Sequence, residues 1–394
     1  MRASTAYYLY DATADFGIAM TVTVYAPFLL SIGLSLAEIA LVNSVFWFTI
    51  VLMELPTGML ADGKSRVWSL KMGSICLTFG GIAYLCAQGF WSAMFAEILI
   101  GVSMSFFSGA EQAWITDALH REGRDHERRK VFATGALIRA GVMLFGGLIG
   151  SLIALYNPRL IWAPMIITSP FTWLIIHRYM NGKGEPIHKM TEVEALRASV
   201  SMLRGSRALV WLIATIIVFG AVVAFNNFWS PFFIPKVGTL GLSWVWALMY
   251  GGMSCAAIMI HRLTLPHGHE SSWILGALVL TGMGLFIAGY AGGLMIPLSS
   301  VVVHEIGRGM FQPLVDSFVQ HRIESGYRAT FVSLQSLLGR IGLVITPLVI
   351  WFTIRDKPNT SETISNVWII CGTVLVTGAL VLACFRTRPE VVTN

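Results

Sequence analysis

The stretch ELPTGMLADGKSR, residues 54–66, places several charged side chains between two apolar runs that are each long enough to cross a bilayer. Because the hydrocarbon core of a bilayer disfavours charged side chains, such a segment is typical of the turn that joins two membrane-spanning helices. The stretch therefore predicts a membrane protein with several spans, and it gives the position of one water-exposed turn.

The composition supports this interpretation, since 55% of the 394 residues are hydrophobic and only 12% are charged, which is too apolar for a water-soluble domain of this size. Twelve apolar runs reach the length of about 20 residues that a transmembrane helix needs. These predicted spans cover residues 5–32, 36–61, 67–88, 91–119, 131–156, 159–180, 208–235, 241–263, 272–292, 294–321, 329–354 and 364–385. Backbone groups cannot stay unpaired in hydrocarbon, and the runs lack period-two alternation, so we predict an all-α integral membrane fold with twelve transmembrane helices.

The distribution of Lys and Arg predicts the topology. Of the 27 basic residues, 20 lie in the two tails and the even-numbered connections, whereas four lie in the odd-numbered connections. Because basic residues concentrate on the cytoplasmic side, we expect both termini to be cytoplasmic. The expected membrane is the bacterial inner (plasma) membrane. Asp11 and Asp15 interrupt the first span, which argues against a cleavable signal peptide.

The longest polar stretch divides the chain into two halves. It predicts a six-helix bundle over 1–180, a cytoplasmic linker with a short amphipathic helix over 181–207, and a second six-helix bundle over 208–394. An internal repeat supports two parallel halves, since WITD at 114–117 and IRAG at 138–141 have counterparts in PLVD at 313–316 and GRIG at 339–342.

The pattern GMLADGKSR of residues 58–66 resembles the Gly-x-Leu-x-Asp-x-x-Gly-Arg-(Arg/Lys) loop between the second and third helices of the major facilitator superfamily, with Ser65 in place of a glycine. The resemblance extends over the whole chain in span count and two-half layout. It implies the major facilitator fold and alternating access by rocking of 1–180 against 208–394. It also implies that Asp62, Lys64 and Arg66 act as cytoplasmic gate residues.

Two further patterns of the superfamily are altered here. The fourth span has EILIG at 97–101, where many proton-driven drug exporters have Arg-x-x-x-Gly, and the fifth has GGLIGS at 146–151, where the antiporter branch has Gly-Pro-x-x-Gly-Gly. The small residues still permit close helix contact. The resemblance therefore favours the drug/proton antiporter branch with an incomplete signature.

Ionisable groups inside spans indicate a substrate or proton pathway, because burying them in hydrocarbon is costly. Asp11 and Asp15 lie four residues apart and share a helix face, and two close carboxylates suit a proton carrier. Polar residues recur every four positions through the tenth span, and an asparagine pair before Pro231 predicts a break in the seventh. The predicted pathway residues are Asp11, Asp15, Glu111, Gln112, Asn226, Asn227, His304, Glu305, Arg308 and Gln312.

Charges near the cytoplasmic ends of spans favour a structural interpretation. Asp117 and Asp316 are expected to pair with Arg139 and Arg340, or with loop arginines such as Arg129, although substrate contact is an alternative. By contrast, Ser35 and Glu38 form the pattern of a helix capping box, so Glu38 is not expected in the site.

The sequence contains no pattern typical of an enzyme, a metal site or a cofactor site, and none for nucleic acid. We predict a monomeric secondary active transporter in the lipid bilayer, with proton-coupled export of a small amphipathic or cationic organic solute. One alternative is proton-coupled uptake of an anionic metabolite or chelated nutrient, bound through Arg308. Another is a transporter-like sensor or lipid-moving scaffold that conducts no solute.

Overall fold

A computed structural model describes residues 1–181, 201, 203–262, 268–323 and 325–386, without the side chains at 62, 261 and 325–330. Every regular element in these ranges is a helix, as the sequence predicted. The predicted amphipathic helix of the linker lies almost entirely outside the described residues, and so does the side chain of Asp62.

Eight α-helices make up the first half of the chain. They are α1 Ala3–Ala19, α2 Tyr25–Ser31, α3 Leu36–Gly63, α4 Arg66–Leu85, α5 Phe90–Phe107, α6 Ala110–Arg121, α7 Arg128–Tyr156 and α8 Ala163–Ile175. Short 3-10 turns precede α7 and α8, and a π-helical turn, Ile176–Met180, extends α8. The predicted capping box begins α3, since the Ser35 amide donates to Glu38 Oε2 at 2.7 Å and the Glu38 amide donates to Ser35 Oγ at 3.2 Å.

Six α-helices make up the described part of the second half. They are α9 Arg207–Phe219, α10 Val223–Arg262, α11 Glu270–Tyr290, α12 Met295–Arg322, α13 Ser325–Ile354 and α14 Ser361–Cys384. Gly238 interrupts α10 with a φ of 73° and a ψ of 174°, so α10 consists of two helices joined by a sharp turn. Only glycine adopts this backbone conformation at little cost.

In the described residues, each of the twelve predicted spans corresponds to one helix or to two consecutive helices. Eight helical stretches of the described residues are long and apolar enough to cross a membrane, and one of them, Arg207–Ile260, contains the seventh and eighth spans. The first, third and tenth spans are also helical, but the first is interrupted and the other two are less apolar. The chain therefore has the helical content that a membrane protein requires.

The described residues form two compact units. The first holds residues 1–181 together with Val237–Ser243, and the second holds the other described residues. In the first unit, α1 packs against α7 and α8, and α4 packs against α5 and α8. In the second unit, α11 packs against α12 and α14, and α9 packs against α13. The predicted boundaries of the linker stay a prediction.

The first span is not one continuous helix, contrary to the sequence prediction. The chain turns between α1 and α2, where Thr21 Oγ1 donates to the Ile18 carbonyl at 2.8 Å and Thr23 Oγ1 donates to the Gly147 carbonyl of α7 at 3.0 Å. Hydroxyls that bond nearby carbonyls compete with the helix, and β-branched residues such as these lower its propensity. The interruption thus follows from two threonines within the apolar run.

The fourth span is also interrupted, at residues 108 and 109. Gly109 has a φ of 73°, which ends α5 and lets α6 start in a new direction. The sequence predicted one continuous helix for this span, and that prediction is wrong at the turn. Because of the turn at Gly109, Glu111 lies in the first turn of α6, where backbone N–H groups and the helix dipole favour an anion.

The predicted break at Asn226 to Pro231 is wrong, since this segment is helical within α10. The irregular turn lies earlier, at Gly220–Val222. There α9 crosses α13 so closely that a Cβ atom on Gly220 would lie 2.6 Å from the Cα atom of Gly342. The backbone therefore departs from α geometry where the two helices touch, rather than at the prolines.

Two glycines of α7 provide a matched test of the packing. A Cβ atom on Gly150 would overlap the Met20 carbonyl, whereas a Cβ atom on Gly141 would meet no heavy atom within 4 Å. We expect Gly150→Ala to lower the free energy of unfolding by about 1–3 kcal/mol. Gly141→Ala should be neutral or stabilising by up to about 1 kcal/mol, because alanine is the better helix former. Unfolding in detergent would measure both, and equal effects would contradict the close crossing.

Candidate functional site

Three carboxylates of the first unit surround one guanidinium, and we call Asp11, Asp15, Glu111 and Arg139 the Arg139 cluster. Arg139 Nη2 lies 3.0 Å from Glu111 Oε1 and also bonds Asp11, while Arg139 Nε lies 2.9 Å from Asp15 Oδ2. These groups come from α1, α6 and α7. The structure therefore joins residues that are distant in the sequence into a single charged site.

Local structure explains how each group reaches the cluster. Asp11 and Asp15 lie one turn apart on the face of α1 that packs against α7, which carries Arg139. The turn at Gly109 places Glu111 at the start of α6, and Tyr7 Oη donates to Glu111 Oε1 at 3.3 Å. The predicted pathway acids of the first half thus lie together.

The Arg139 cluster carries more negative than positive charge. If all groups are ionised, three carboxylates and one guanidinium give a net formal charge of −2, and within the described residues their ion pairs are all with one another. Asp11 is only 1% exposed, and its Oδ2 atom has no hydrogen-bond partner among the described residues. Burial of unbalanced carboxylates is costly, so the cluster favours binding of a proton or another cation.

Other polar residues of this unit lie elsewhere. Gln112 is exposed and is not among the contacts of Arg139. Arg66 bonds the carboxylate of Asp117 and donates to the Ala113 carbonyl at 2.6 Å. Asp117 therefore pairs with Arg66 instead of Arg139 or Arg129, the partners that the sequence suggested.

The Lys64 ammonium lies 4.4 Å from the centre of the Trp68 ring, a cation–π contact within the same unit. The side chain of Asp62, the third predicted gate residue, lies outside the described residues. These contacts of Lys64 and Arg66 lie within the first unit, and the gate function of Asp62, Lys64 and Arg66 stays a prediction.

In the second unit, Arg308 joins α12 to both parts of α10. Its Nη2 atom lies 2.8 Å from Glu305 Oε2 and 3.4 Å from Met253 Sδ, and Nη1 donates to Asn226 Oδ1 at 2.8 Å. The ion pair at three-residue spacing agrees with the sequence prediction. Because Glu305 is fully buried, the positive charge of Arg308 is already balanced within its own unit.

The remaining polar residues of α12 do not contact one another as a single row along the helix. His304 is fully buried, with Nδ1 2.9 Å from the Thr281 carbonyl of α11 and its ring 4.6 Å from that of Phe225. Gln312 Nε2 instead donates to Asp316 Oδ1 at 2.7 Å, within α12. His304 therefore packs against α11, while Gln312 and Asp316 bond each other.

Two further predicted residues, Asn227 and Arg340, lie in α10 and α13. Asn227 is buried, and its Nδ2 atom has no hydrogen-bond partner among the described residues. Arg340 is half-buried in α13. The proposed pairing of Asp316 with Arg340 stays a prediction.

Glu97 is a further buried acid that was not among the site residues predicted from the sequence. Glu97 is 6% exposed and accepts a hydrogen bond from Tyr84 Oη, which lies 3.3 Å from Tyr25 Oη. The Trp162 ring stacks on that of Tyr84 at 3.9 Å. An acid within an apolar span was the available signal, but Glu97 was noted only as the residue that stands in place of an arginine of the family pattern.

Comparisons with known proteins agree with this architecture. A sequence profile described as Major Facilitator Superfamily matches residues 12–347. A relative from Bacillus subtilis (strain 168), described as the uncharacterized MFS-type transporter YxaM, is 20% identical over 359 residues, and the match covers 87% of each chain.

Two solved structures resemble the fold. The nucleoside transporter NupG has a TM-score of 0.77 at 14% identity, with 98% of this chain and 99% of that chain covered. An auto-inhibited POT family peptide transporter has a TM-score of 0.73 at 12% identity, with 100% and 99% covered. At such low identity, these two likenesses concern the fold alone.

Proposed function

This chain belongs to the Major Facilitator Superfamily, a family of membrane transporters and not of enzymes, and on that premise we propose that it exchanges protons for a small organic cation. The exchange proceeds by alternating access in a bacterial inner membrane, with both termini in the cytoplasm. Under an inward proton gradient, the direction of cation movement is export.

The proposal rests on the net negative charge of the Arg139 cluster. Three carboxylates share one guanidinium, so one further positive charge lowers the electrostatic cost of the buried site. Tyr7, which donates to Glu111, places an aromatic ring beside the cluster, and this suits an organic cation better than an inorganic one.

Competition for the same carboxylates explains why the coupling is an exchange. A proton on Asp15 or Glu111 removes the negative charge that an organic cation needs, so each occupant disfavours the other. If the site binds a proton after it has released the cation, the reverse conformational change carries the proton, and the proton and the cation cross the membrane in opposite directions. The proposal therefore combines antiport and efflux in one site.

The second candidate is uptake of an anionic or polar solute, and the fold resembles those of NupG, a nucleoside transporter, and of a POT family peptide transporter. An anionic or polar substrate would use Arg308 of the second unit. Its charge is already balanced by buried Glu305, so Arg308 offers a hydrogen-bond donor more than a free positive charge. This balance favours the cation proposal.

Flux into proteoliposomes under an imposed pH gradient, measured across cationic, neutral and anionic compounds, tests the proposal. We expect gradient-driven movement of a cationic compound, and we expect Asp15→Asn to lower it about tenfold or more, since losing one charge-assisted contact corresponds to about 1.5–3 kcal/mol. The matched control is Asp356→Asn, which changes an exposed acid of the surface pair with Arg355 and should leave the flux unchanged.

Two outcomes would reject the proposal. In the first, Asp15→Asn transports at the wild-type rate with the same dependence on the gradient. In the second, the substrate is an anion and Arg308→Gln abolishes its flux while Asp15→Asn does not. If no compound moves in the wild type while a partner protein still binds, the non-conducting sensor is favoured.

A further inference from the structure

A groove lies on the surface of the first unit between α4 and α8, apart from the Arg139 cluster. Its volume is about 310 Å³, and its lining is almost entirely apolar. The lining residues are Ser74, Ile75, Thr78, Phe79, Pro170 and Trp173. No acidic side chain of the described residues lines it.

The groove has a distinct polar end because the two helices run antiparallel. Gly81 of α4 lies opposite Ile166 near the start of α8, whereas Lys71 lies opposite His177 and Asn181 beyond the end of α8. The lining residues fall between these two contacts in both helices. The groove therefore runs along the helix axes, with the Lys71 ammonium group at one end.

Hydrogen bonds hold three polar side chains, those of Lys71, His177 and Asn181, in place at that end. Lys71 Nζ lies 3.1 Å from Asn181 Oδ1 and 3.2 Å from His177 Nδ1, while Asn181 Nδ2 donates to the His177 carbonyl at 2.9 Å. The bond from Asn181 Nδ2 to the His177 carbonyl orients the Asn181 amide so that its oxygen faces Lys71. The His177 ring stacks on Trp173 with centroids 5.1 Å apart, which ties the polar end to the apolar lining.

This arrangement leaves two hydrogen-bond donors free for an anion. An ammonium group has three hydrogens, and the protein accepts two of them. Because an ammonium group can only donate, His177 Nδ1 must accept, and the ring proton then resides on Nε2. His177 is exposed, so Nε2 can donate to a group outside the protein.

We propose that this groove binds an anionic phospholipid, with an acyl chain along Ile75, Phe79 and Trp173, the phosphate on Lys71 Nζ, and a headgroup oxygen outside that phosphate on His177 Nε2. An apolar channel that ends in two donors and lacks acids complements a lipid with a negative headgroup. The polar end lies on the side predicted to be cytoplasmic, where anionic lipids attract basic side chains.

Native mass spectrometry of the detergent-purified protein, titrated with phosphatidylglycerol or phosphatidylcholine, tests the site. We expect tighter binding of phosphatidylglycerol, and we expect Lys71→Gln to weaken it roughly fivefold, the factor for about 1 kcal/mol per basic residue at a membrane surface. His177→Phe should weaken it as well, because it keeps a ring on Trp173 but removes the Nε2 donor. Lys357→Gln, which removes a charge from an exposed loop, should have no effect.

Thermal unfolding without lipid establishes that each variant is folded before the comparison. Equal binding of the two lipids in the wild type would overturn the proposal. So would wild-type preference in both Lys71→Gln and His177→Phe. If inorganic phosphate displaces phosphatidylglycerol completely at equal concentration, the site binds an ion only and the apolar groove has no part in it.

Discussion

Arg66→Met is expected to lower the free energy of unfolding by about 3–5 kcal/mol, the cost of breaking a buried ion pair by removal of one partner. The side chains of Arg66 and Asp117 are 4% and 17% exposed, so the carboxylate that remains has little access to water. The lost bond to the Ala113 carbonyl adds to the effect. Equilibrium unfolding in mixed micelles with a denaturing detergent would measure the change.

A double-mutant cycle separates this pair from general damage to the helix. Arg66→Met combined with Asp117→Leu removes both charges, and we expect it to recover most of the loss. The control pair is Arg355 and Asp356, whose side chains are 49% and 87% exposed, and Arg355→Met should cost less than about 1 kcal/mol. Equal costs at the two arginines would contradict the importance of burial.

The Arg66 pair also bears on the gate function that the family resemblance implies. If Arg66 is only an anchor for α6, a folded Arg66→Met, Asp117→Leu protein should transport at the wild-type rate. If Arg66 also acts in gating, the doubly substituted protein should be stable but slow. Flux per folded molecule therefore distinguishes the two roles.

The sequence predicts most of the fold because the bilayer imposes simple rules on length and polarity. Apolar runs gave the spans, and the Ser35 capping box gave the start of α3 within one residue. The turns within the first and fourth spans were missed for a physical reason. Thr21, Thr23 and Gly109 are compatible with a helix by hydropathy, and only their hydrogen bonds and backbone angles reveal the interruptions.

The sequence predicted which residues belong to the candidate site better than it predicted which of them contact one another. The spacing of Asp11 and Asp15 placed both on one face, and the spacing of Glu305 and Arg308 allowed their ion pair. The partner of Arg139 could not be predicted, because Asp11 lies 128 positions away and several acids compete. Packing of α1 and α6 around α7 decides that choice.

Arg139→Gln is expected to lower proton-driven flux by about 100-fold or more. The Arg139 side chain is 44% exposed, but that of Asp11 is 2% exposed, so the substitution leaves a buried carboxylate without its partner. A cost of about 3 kcal/mol for that loss corresponds to two factors of ten. Three close carboxylates then repel one another and no longer hold a fixed geometry for the cation. Arg139→Lys should retain part of the flux, because an ammonium keeps the charge but lacks the planar set of donors that reaches three acids. Gradient-driven flux in proteoliposomes would measure both variants.

Loss of folding is the main competing explanation, and a second substitution at the cluster separates it from loss of function. Asp11 is the most buried of the three acids, so Asp11→Asn should restore much of the stability that Arg139→Gln loses. It should not restore coupled flux, because Asp15 and Glu111 still lack the guanidinium that positions them. A doubly substituted protein that is stable and inactive supports a direct role of Arg139 in exchange. One that is stable and fully active would show that Arg139 only offsets the buried charge of Asp11.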